Sequence, residues 1–400
     1  RTVGWFTAVY PFVVEKKEDR TAQILDIKET LLGVPNDGMG YGLYEKNTEY
    51  KSEFKPELIF NYLGQSESTD YGNMVWEDCA CGQEIHEENG EENAISVDVR
   101  MKKEGLEFCC KMDSIYEKAL VQPFFQQYME YLRKVSRELE EQERVYSPSD
   151  FGLGQVLPYE EWRTLESKLC WEDVSKLCVL TPLQQGMFYH WLKDKSTTAY
   201  VVQDLITIHG QWDRNAMKKS LDLLSKKHEA LRLGYVYEGL QEPLQYVLRE
   251  RKIPFSVAEE GQLEQKKQEE LEKGFDLTKD PLFRVVAFEK EGEDTLLLIT
   301  QHHIIMDGWS FPVVLWDLES YYREILQGAE DRQLTARVNK EIQESCAYST
   351  YLQWRFGKQK EERKAQQIWQ EYLSEYEEEG KLLPWSNVDE SQKAKPEKCS

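Results

Sequence analysis

The strongest chemical signal in the sequence is a pair of adjacent histidines in the segment QHHIIMDGWS, at residues 301–310. This segment follows the apolar run TLLLIT, which predicts a buried strand that ends at the histidines. Because successive strand residues point to opposite faces, one imidazole can pack in the core while the other faces a cleft. A neutral imidazole, whose ordinary pKa is about 6.5, can accept a proton from an attacking amine or hydroxyl. We therefore expect His303 to be a general base, with His302 packed beside it.

Two other interpretations of an isolated histidine pair are half of a metal site and a hydrogen-bonded pair in a core, and the second would normally be preferred. The surrounding sequence decides against both. Three further patterns accompany the pair in a fixed order: VLTPLQQGMFYHWL at 179–192, KHEALRLGY at 227–235 and FDLTKDPLFRV at 275–285. Together with the His-His-x-x-x-Asp-Gly pattern they resemble the motifs of condensation domains from nonribosomal peptide synthetases. Lys227, where the family usually has Arg, and the loosely matching YSTYLQW at 348–354 depart from that pattern.

The resemblance assigns roles to further residues of the histidine segment. Asp307 would be structural and would pair with Arg232 to hold the histidine loop, and Gly308 would keep space open for an incoming thioester. A buried carboxylate beside a guanidinium is stable only when paired, so removal of either partner should damage folding more than chemistry. A merely solvated Arg232 is the alternative.

The first segment of the chain resembles epimerisation domains, a related branch of the same superfamily. RTVGWFTAVYP at 1–11, PNDGMGYG at 35–42 and FNYLGQ at 60–65 are similar, in order, to three closing motifs of that family. The resemblance places Asn61 and Tyr62 at the cleft, as polarising or proton-handling groups for exchange at an α-carbon. The alternative is that both are ordinary packed strand residues.

The predicted fold class is α/β (α+β), with two lobes like chloramphenicol acetyltransferase, one from each of two adjacent domains. We expect residues 1–143 to be the C-terminal lobe of an epimerisation domain and residues 174–385 the N-terminal lobe of a condensation domain. Pro and Gly residues predict an interdomain linker over 144–173, and residues 386–400 are expected to be disordered. Since neither cleft would be complete, we expect little turnover from this segment alone.

Apolar periodicity predicts the elements that must position these residues. Helices are expected over 21–32, 123–141, 182–193, 216–228, 312–326 and 345–355. Strands are expected over 58–64, 95–101, 106–110, 200–209, 283–288 and 295–300, and the second and third of these should form a hairpin. The glycine-rich segment PNDGMGYG at 35–42 is expected to be a loop with tight backbone turns.

Composition excludes several classes of function. The formal net charge of −23 opposes binding to a phosphate backbone, so we expect no nucleic acid partner. No run of apolar residues is long enough to cross a bilayer, so no membrane association is expected. The eight cysteines include no paired C-x-x-C sets, which argues against a metal site and favours reduced thiols in the cytoplasm. The acidic runs at 138–143, 259–272 and 375–379 are interpreted as solvated helix faces.

The resemblance also implies partners. Substrates would arrive on the 4'-phosphopantetheine of upstream and downstream peptidyl carrier domains, with an adjacent adenylation domain, and no cofactor would bind directly. An epimerisation segment followed directly by a condensation segment, with Ile-Ile-Met at the three variable positions of HHIIMDG, resembles the condensation subtype that accepts a D-configured donor. Two alternatives are a CoA-dependent acyltransferase of the wider His-x-x-x-Asp-Gly superfamily and a non-catalytic docking platform for carrier domains.

Overall fold

The computed structural model describes residues 7–47, 57–65, 95–102, 105–112, 118–154, 156–210, 212–289, 294–357 and 359–374. The chain divides into two compact units, Arg1–Tyr159 and Glu160–Ser400, and each is considered by itself. Several sequence predictions fall outside the described residues. They concern residues 1–6 of the segment RTVGWFTAVYP, the cysteines Cys79, Cys81 and Cys399, and the predicted disordered end at 386–400.

The first unit combines helices with one small sheet. Its helices are α1 (Arg20–Leu32), α2 (Tyr41–Asn47) and α3 (Lys118–Glu141), and its strands are β1 (Leu58–Gln65), β2 (Ile95–Lys102) and β3 (Gly105–Met112). In the sheet, β1 pairs with β2 in parallel and β2 pairs with β3 as the predicted antiparallel hairpin. Helix α2 was not predicted, because its first two residues belong to the glycine-rich segment interpreted as a loop.

That glycine-rich segment does contain the predicted tight turn, just before α2. Asn36, Asp37 and Gly38 have φ angles of 50°, 53° and 78°. A Cβ built on Gly38 would lie 1.8 Å from the ring of Tyr10, so a larger residue would need both an unfavourable backbone and extra space. The sequence identified this turn correctly because glycine and asparagine tolerate positive φ.

The second unit is larger and contains the histidine segment. Its helices are α4 (Tyr159–Glu166), α5 (Pro182–Lys193), α6 (Arg214–Lys227), α7 (Leu263–Lys273), α8 (Phe311–Leu326), α9 (Asp331–Glu344), α10 (Tyr348–Gly357) and α11 (Gln359–Tyr372). Its strands are β4 (Val174–Val179), β5 (Val201–Ile208), β6 (Leu233–Val236), β7 (Leu244–Leu248), β8 (Phe255–Glu259), β9 (Phe283–Glu289) and β10 (Thr295–His302).

Two sheets form the frame of this second unit. The four-stranded sheet has the order β5-β10-β9-β8, and a three-stranded sheet has the order β4-β7-β6. Strand β10 is antiparallel to both of its neighbours and ends at His302, which lies opposite Val201 of β5. Its near-continuous apolar sequence is explained by burial on both faces, since Leu297 and Leu298 are 2% and 1% exposed. The α/β class predicted from the sequence is confirmed.

The segment predicted as a linker, residues 144–173, contains more regular structure than expected. It includes a short 3-10 helix, Pro148–Phe151, and helix α4. Trp162 of α4 is fully buried, stacks on Trp171 at a centroid distance of 4.5 Å and donates its indole N–H to Glu166. The expectation that proline and glycine interrupt every regular element here was therefore wrong, because Pro158 lies at the start of a helix, where proline is tolerated.

Candidate active site

The two histidines lie in different environments, because β10 is buried on both faces and ends at His302, and His303 is the first residue of the turn that follows. His302 is 2% exposed, whereas the next residue, His303, is exposed. The backbone N–H of His302 donates to the carbonyl of Leu282 at 3.0 Å, and that of His303 donates to the carbonyl of Tyr200 at 2.8 Å. The backbone is thus fixed on both sides of the point where the strand ends, and the His303 side chain faces solvent.

The buried imidazole of His302 is held in its neutral form. Burial, with a smaller contribution from the neighbouring His303, lowers the pKa of His302 to about 4. Its Nδ1 atom accepts the backbone N–H of Ile304 at 3.1 Å, which places the ring proton on Nε2. His302 therefore supports the turn of the segment, and of the two histidines only His303 is accessible to a substrate.

The loop that follows the histidines is supported by a residue of the first motif. Gln184 on α5 is buried and donates its side-chain amide to the carbonyl of Ile304 at 3.0 Å. The same amide lies 3.1 Å from the side-chain oxygen of Gln245 on β7. Thr181 and Gln184 also form a capping box at the start of α5, which fixes the side chain of Gln184. The first motif thus positions the histidine loop, a role that its sequence alone did not indicate.

Asp307 lies in the turn between the histidines and α8, which begins at Phe311. One of its carboxylate oxygens accepts the backbone N–H groups of Trp309 and Ser310 at 3.1 and 2.9 Å, and the hydroxyl of Ser310 at 2.8 Å. The hydroxyl and the two N–H groups hold the pKa of this exposed carboxyl below its usual value. These bonds shape the turn that leads into α8.

The predicted ion pair between Asp307 and Arg232 is wrong. Arg232 is 9% exposed, and its guanidinium donates to the carbonyls of Ser225, Lys226 and Leu248, the last two at 2.7 and 2.9 Å. Ser225 and Lys226 lie in the last turn of α6, whose terminal carbonyls need donors. Burial lowers the pKa of Arg232. Arg232 therefore caps the end of α6 and does not hold the histidine loop.

Gly308 stands in open space. A Cβ built at this position would meet no atom within 4 Å among the described residues. The neighbouring Trp309 is 89% exposed. The geometry is compatible with the predicted need for space beside the histidines, but in this unit alone an added methyl group would not collide with anything.

The second motif links α6 to α8, α9 and α10 through its charged residues, and Lys227 also lies 2.9 Å from Glu341 of α9. Lys227 and His228 each contact a different carboxylate oxygen of Asp317 on α8, at 2.9 and 2.8 Å. Burial tends to raise the pKa of Asp317, but the hydrogen bonds from His228 and Lys227 outweigh it and hold that pKa below its usual value. Glu229 accepts the backbone N–H of Ser349 at 2.9 Å, in the first turn of α10. Lys227 therefore fills a structural position in which an ammonium suffices.

The third motif forms the wall behind His302. Arg284 is buried, donates to Glu270 at 2.5 Å and to the carbonyl of Gly274 at 2.9 Å, and lies 3.9 Å from the centroid of the Phe275 ring. The Phe275 ring in turn meets His302 edge-on, with 6.2 Å between centroids. The arginine thus fixes the aromatic ring that encloses the buried histidine.

Asn61 and Tyr62 lie in the first unit on adjacent positions of β1, so their side chains point to opposite faces. Asn61 donates its side-chain amide to Asp98 on β2 at 3.2 Å, and both residues are accessible. Tyr62 is 56% exposed. The structure therefore does not bring the two predicted groups to one point, and it adds Asp98, which sequence reasoning missed, as the partner of Asn61.

No cluster of metal-ligating side chains is found in the part of the chain that the structure describes. Likewise, no described helix is both long and apolar enough to cross a bilayer.

Comparison with known proteins identifies the family. The family model described as "Condensation domain" matches residues 1–150 and 174–400. Two relatives from Bacillus licheniformis are similar over most of the sequence: bacitracin synthase 1 is 30% identical over 403 residues, and bacitracin synthase 3 is 29% identical over 399 residues. Each alignment covers 96% of this chain, but the chain spans only 7% and 6% of the length of these two relatives.

Solved structures give weaker similarities. The X-domain from teicoplanin biosynthesis, in its complex with OxyB, is 20% identical, with a TM-score of 0.43 over 54% of this chain and 47% of its own. The first condensation domain of the CDA synthetase is 17% identical, with a TM-score of 0.37 over 40% of this chain and 42% of its own. Because the family model matches most of the sequence, the chain belongs to the condensation domain family of nonribosomal peptide synthetases.

Proposed function

We propose that, in the intact synthetase, the second unit supplies the histidine lobe of a site that forms amide bonds between two carrier-bound substrates, with His303 as the proton acceptor. The observation that carries this proposal is an exposed imidazole held at a strand end beside a buried, neutral one. The amine of the acceptor aminoacyl thioester attacks the carbonyl carbon of the donor thioester. His303 takes the proton from the attacking nitrogen, the carbon–sulfur bond breaks, and the proton passes to the departing thiolate. The products are an amide on the acceptor carrier and a free phosphopantetheine thiol on the donor carrier.

Such a reaction needs little more than orientation and one base, because a thioester is already activated for acyl transfer. The substrates would arrive on the phosphopantetheine arms of upstream and downstream carrier domains, loaded by an adenylation domain. We propose the cytoplasm as the location.

We further propose that the first unit belongs to an epimerisation domain and that the second accepts a D-configured donor. Two features support the two-domain interpretation: the family model matches in two separate segments, and the gap between them, residues 151–173, lies inside the predicted linker. In the first unit, the amide of Asn61 would polarise the substrate for proton exchange at its α-carbon. Asp98 would fix the orientation of that amide. Tyr62 would act from the other face of the strand, and so at a separate step or on a separate part of the substrate.

The test uses the synthetase that contains this chain. Donor and acceptor carriers are loaded with aminoacyl groups, and amide formation is followed by mass spectrometry of the carrier-bound product. We expect product from a D-configured donor, much less from its L-isomer, and none when the donor is offered as a free CoA thioester. Equal use of the CoA thioester would favour the CoA-dependent acyltransferase, and equal use of both isomers would exclude the D-donor subtype.

Epimerisation has its own test. In deuterated solvent, the donor α-hydrogen should exchange before any amide is formed, and Asn61→Ala should slow this exchange without slowing condensation of a donor that is supplied in the D-form. Unchanged exchange in that variant would contradict the role of Asn61.

A further inference from the structure

Tyr200, which precedes β5, has a backbone conformation that tyrosine rarely adopts. Its φ angle is 64°, and among the described residues of the second unit it is the non-glycine residue with positive φ. Tyr200 is the third residue of a turn closed by a hydrogen bond from the N–H of Val201 to the carbonyl of Thr198, at 3.1 Å. Turns that need positive φ at this position usually have glycine or asparagine there. For a bulky residue this conformation is strained.

The segment that leads into this turn is held by side-chain hydrogen bonds. Asp194 accepts the backbone N–H and the hydroxyl of Ser196 at 3.0 and 2.6 Å. The hydroxyl of Thr197 accepts the N–H of Ala199 at 3.2 Å. A strained residue persists only where its surroundings determine its conformation, and Tyr200 is held between this segment and the turn bond of Val201 on one side and strand β5 on the other.

The same residue is in direct contact with the histidine segment. The carbonyl of Tyr200 accepts the backbone N–H of His303 at 2.8 Å. The paired register of β5 and β10 ends one residue earlier, at Val201 and His302. The bond from Tyr200 therefore extends the hydrogen bonding of β10 to His303, beyond the last ladder pair.

We propose that Tyr200 is a positioning residue for the condensation reaction, and that it acts through its backbone. Its left-handed conformation directs the carbonyl to His303 and so fixes the direction of the exposed imidazole. This inference rests on the proposed function of His303. A rival explanation is available in the same geometry, because the Tyr200 ring lies 6.3 Å from that of His302 and 5.8 Å from that of His190. If the ring is what matters, side-chain size should decide activity; if the backbone matters, tolerance of positive φ should decide it.

A substitution series separates these explanations. In the synthetase that contains this chain, Tyr200→Gly, Tyr200→Asn and Tyr200→Val are compared for single-turnover amide formation at saturating loaded carriers. Gly and Asn accept positive φ and should stay within about threefold of the wild-type rate. Val resists it and should lose at least about tenfold in turnover, since displacement of a catalytic group by about 1 Å can cost a factor of 10². Half-saturation by the acceptor carrier should not change.

The outcomes are decisive in either direction. A Gly variant that loses as much as the Val variant would show that the ring acts by packing, and an unimpaired Val variant would remove the backbone role altogether. If the Val variant does not fold, Tyr200→Ala takes its place, since alanine also disfavours positive φ relative to glycine; a rate for Tyr200→Ala equal to that of the Gly variant, or a large loss in both Gly and Asn, overturns the proposal. His303→Ala is measured in parallel. Full activity of His303→Ala would refute the proposed function itself. If His303→Ala loses activity while all the Tyr200 variants keep the wild-type rate, only the positioning role is refuted.

Discussion

The burial of His302 predicts a specific loss of stability in acid, and its replacement by asparagine should remove that loss. The folded chain resists protonation of this imidazole, because burial lowers its pKa from 6.5 to about 4. In the unfolded chain the same imidazole binds a proton as the pH falls below about 6.5. Between these two values the unfolded state binds more protons than the folded state, so stability decreases as the pH decreases.

The magnitude follows from the two pKa values. Lowering the pH from about 7 to about 5 should cost the folded state about 2 kcal/mol through this group, and below pH ~4 the cost should level off near about 3 kcal/mol. In His302→Asn the side-chain oxygen can still accept the N–H of Ile304, which is now donated to Nδ1 at 3.1 Å. The variant thus keeps an acceptor at this position and removes the titrating group.

The assay is urea unfolding of the wild type, His302→Asn and His303→Asn at pH 7, 6 and 5, with the transitions of the two units fitted separately where they resolve. The wild type should lose about 2 kcal/mol more than His302→Asn between pH 7 and pH 5. The matched control, His303→Asn, should retain most of the wild-type pH dependence, because burial is the larger cause of the low pKa of His302. Equal losses in the wild type and His302→Asn would refute the reasoning.

Two further predictions concern stability. Asp307→Asn and Arg232→Leu should have additive effects on the free energy of unfolding, within about 0.5 kcal/mol, in a double-mutant cycle measured by urea unfolding. The reason is that the two side chains do not contact each other. A coupling energy well above that value would show that they do form an ion pair. Trp162→Ala should cost about 3–5 kcal/mol, because the residue is fully buried, whereas Trp309→Ala, at an 89% exposed position, should change stability by at most about 0.5 kcal/mol in the same assay. A Trp162 variant as stable as the wild type would show that α4 is not part of the folded core and belongs to a linker, as the sequence predicted.

The sequence predicted the parts of this molecule that depend on local pattern. The apolar run of β10, the alternation of β2 and β3 and the spacing of α3 and α6 each specify one element, and the structure has those elements. The different environments of His302 and His303 do not come from strand alternation, since β10 is buried on both faces; His303 is exposed because it lies just past the end of the strand. Family resemblance identified the histidine segment before any geometry was known, and the family itself is confirmed.

The contacts between distant segments could not be predicted in the same way. The carbonyls that receive Arg232 lie at the end of α6 and on β7, and no sequence pattern specifies which acceptor a buried guanidinium will find. The pairing of Glu229 with Ser349 joins residues 120 positions apart. Tyr200 is not one of the residue types that favour positive φ, so the sequence could not predict its conformation.

The central claim is that the His303 imidazole takes the proton from the attacking amine. Its most direct test is the single-turnover rate of amide formation in the synthetase with His303→Ala, compared with His209→Ala, which removes another exposed histidine just beyond the far end of β5. General base catalysis predicts a loss of about 10²- to 10⁴-fold for the first variant and none for the second. A rate for His303→Ala equal to that of the wild type would contradict the account and would leave the chain as a docking platform for carrier domains.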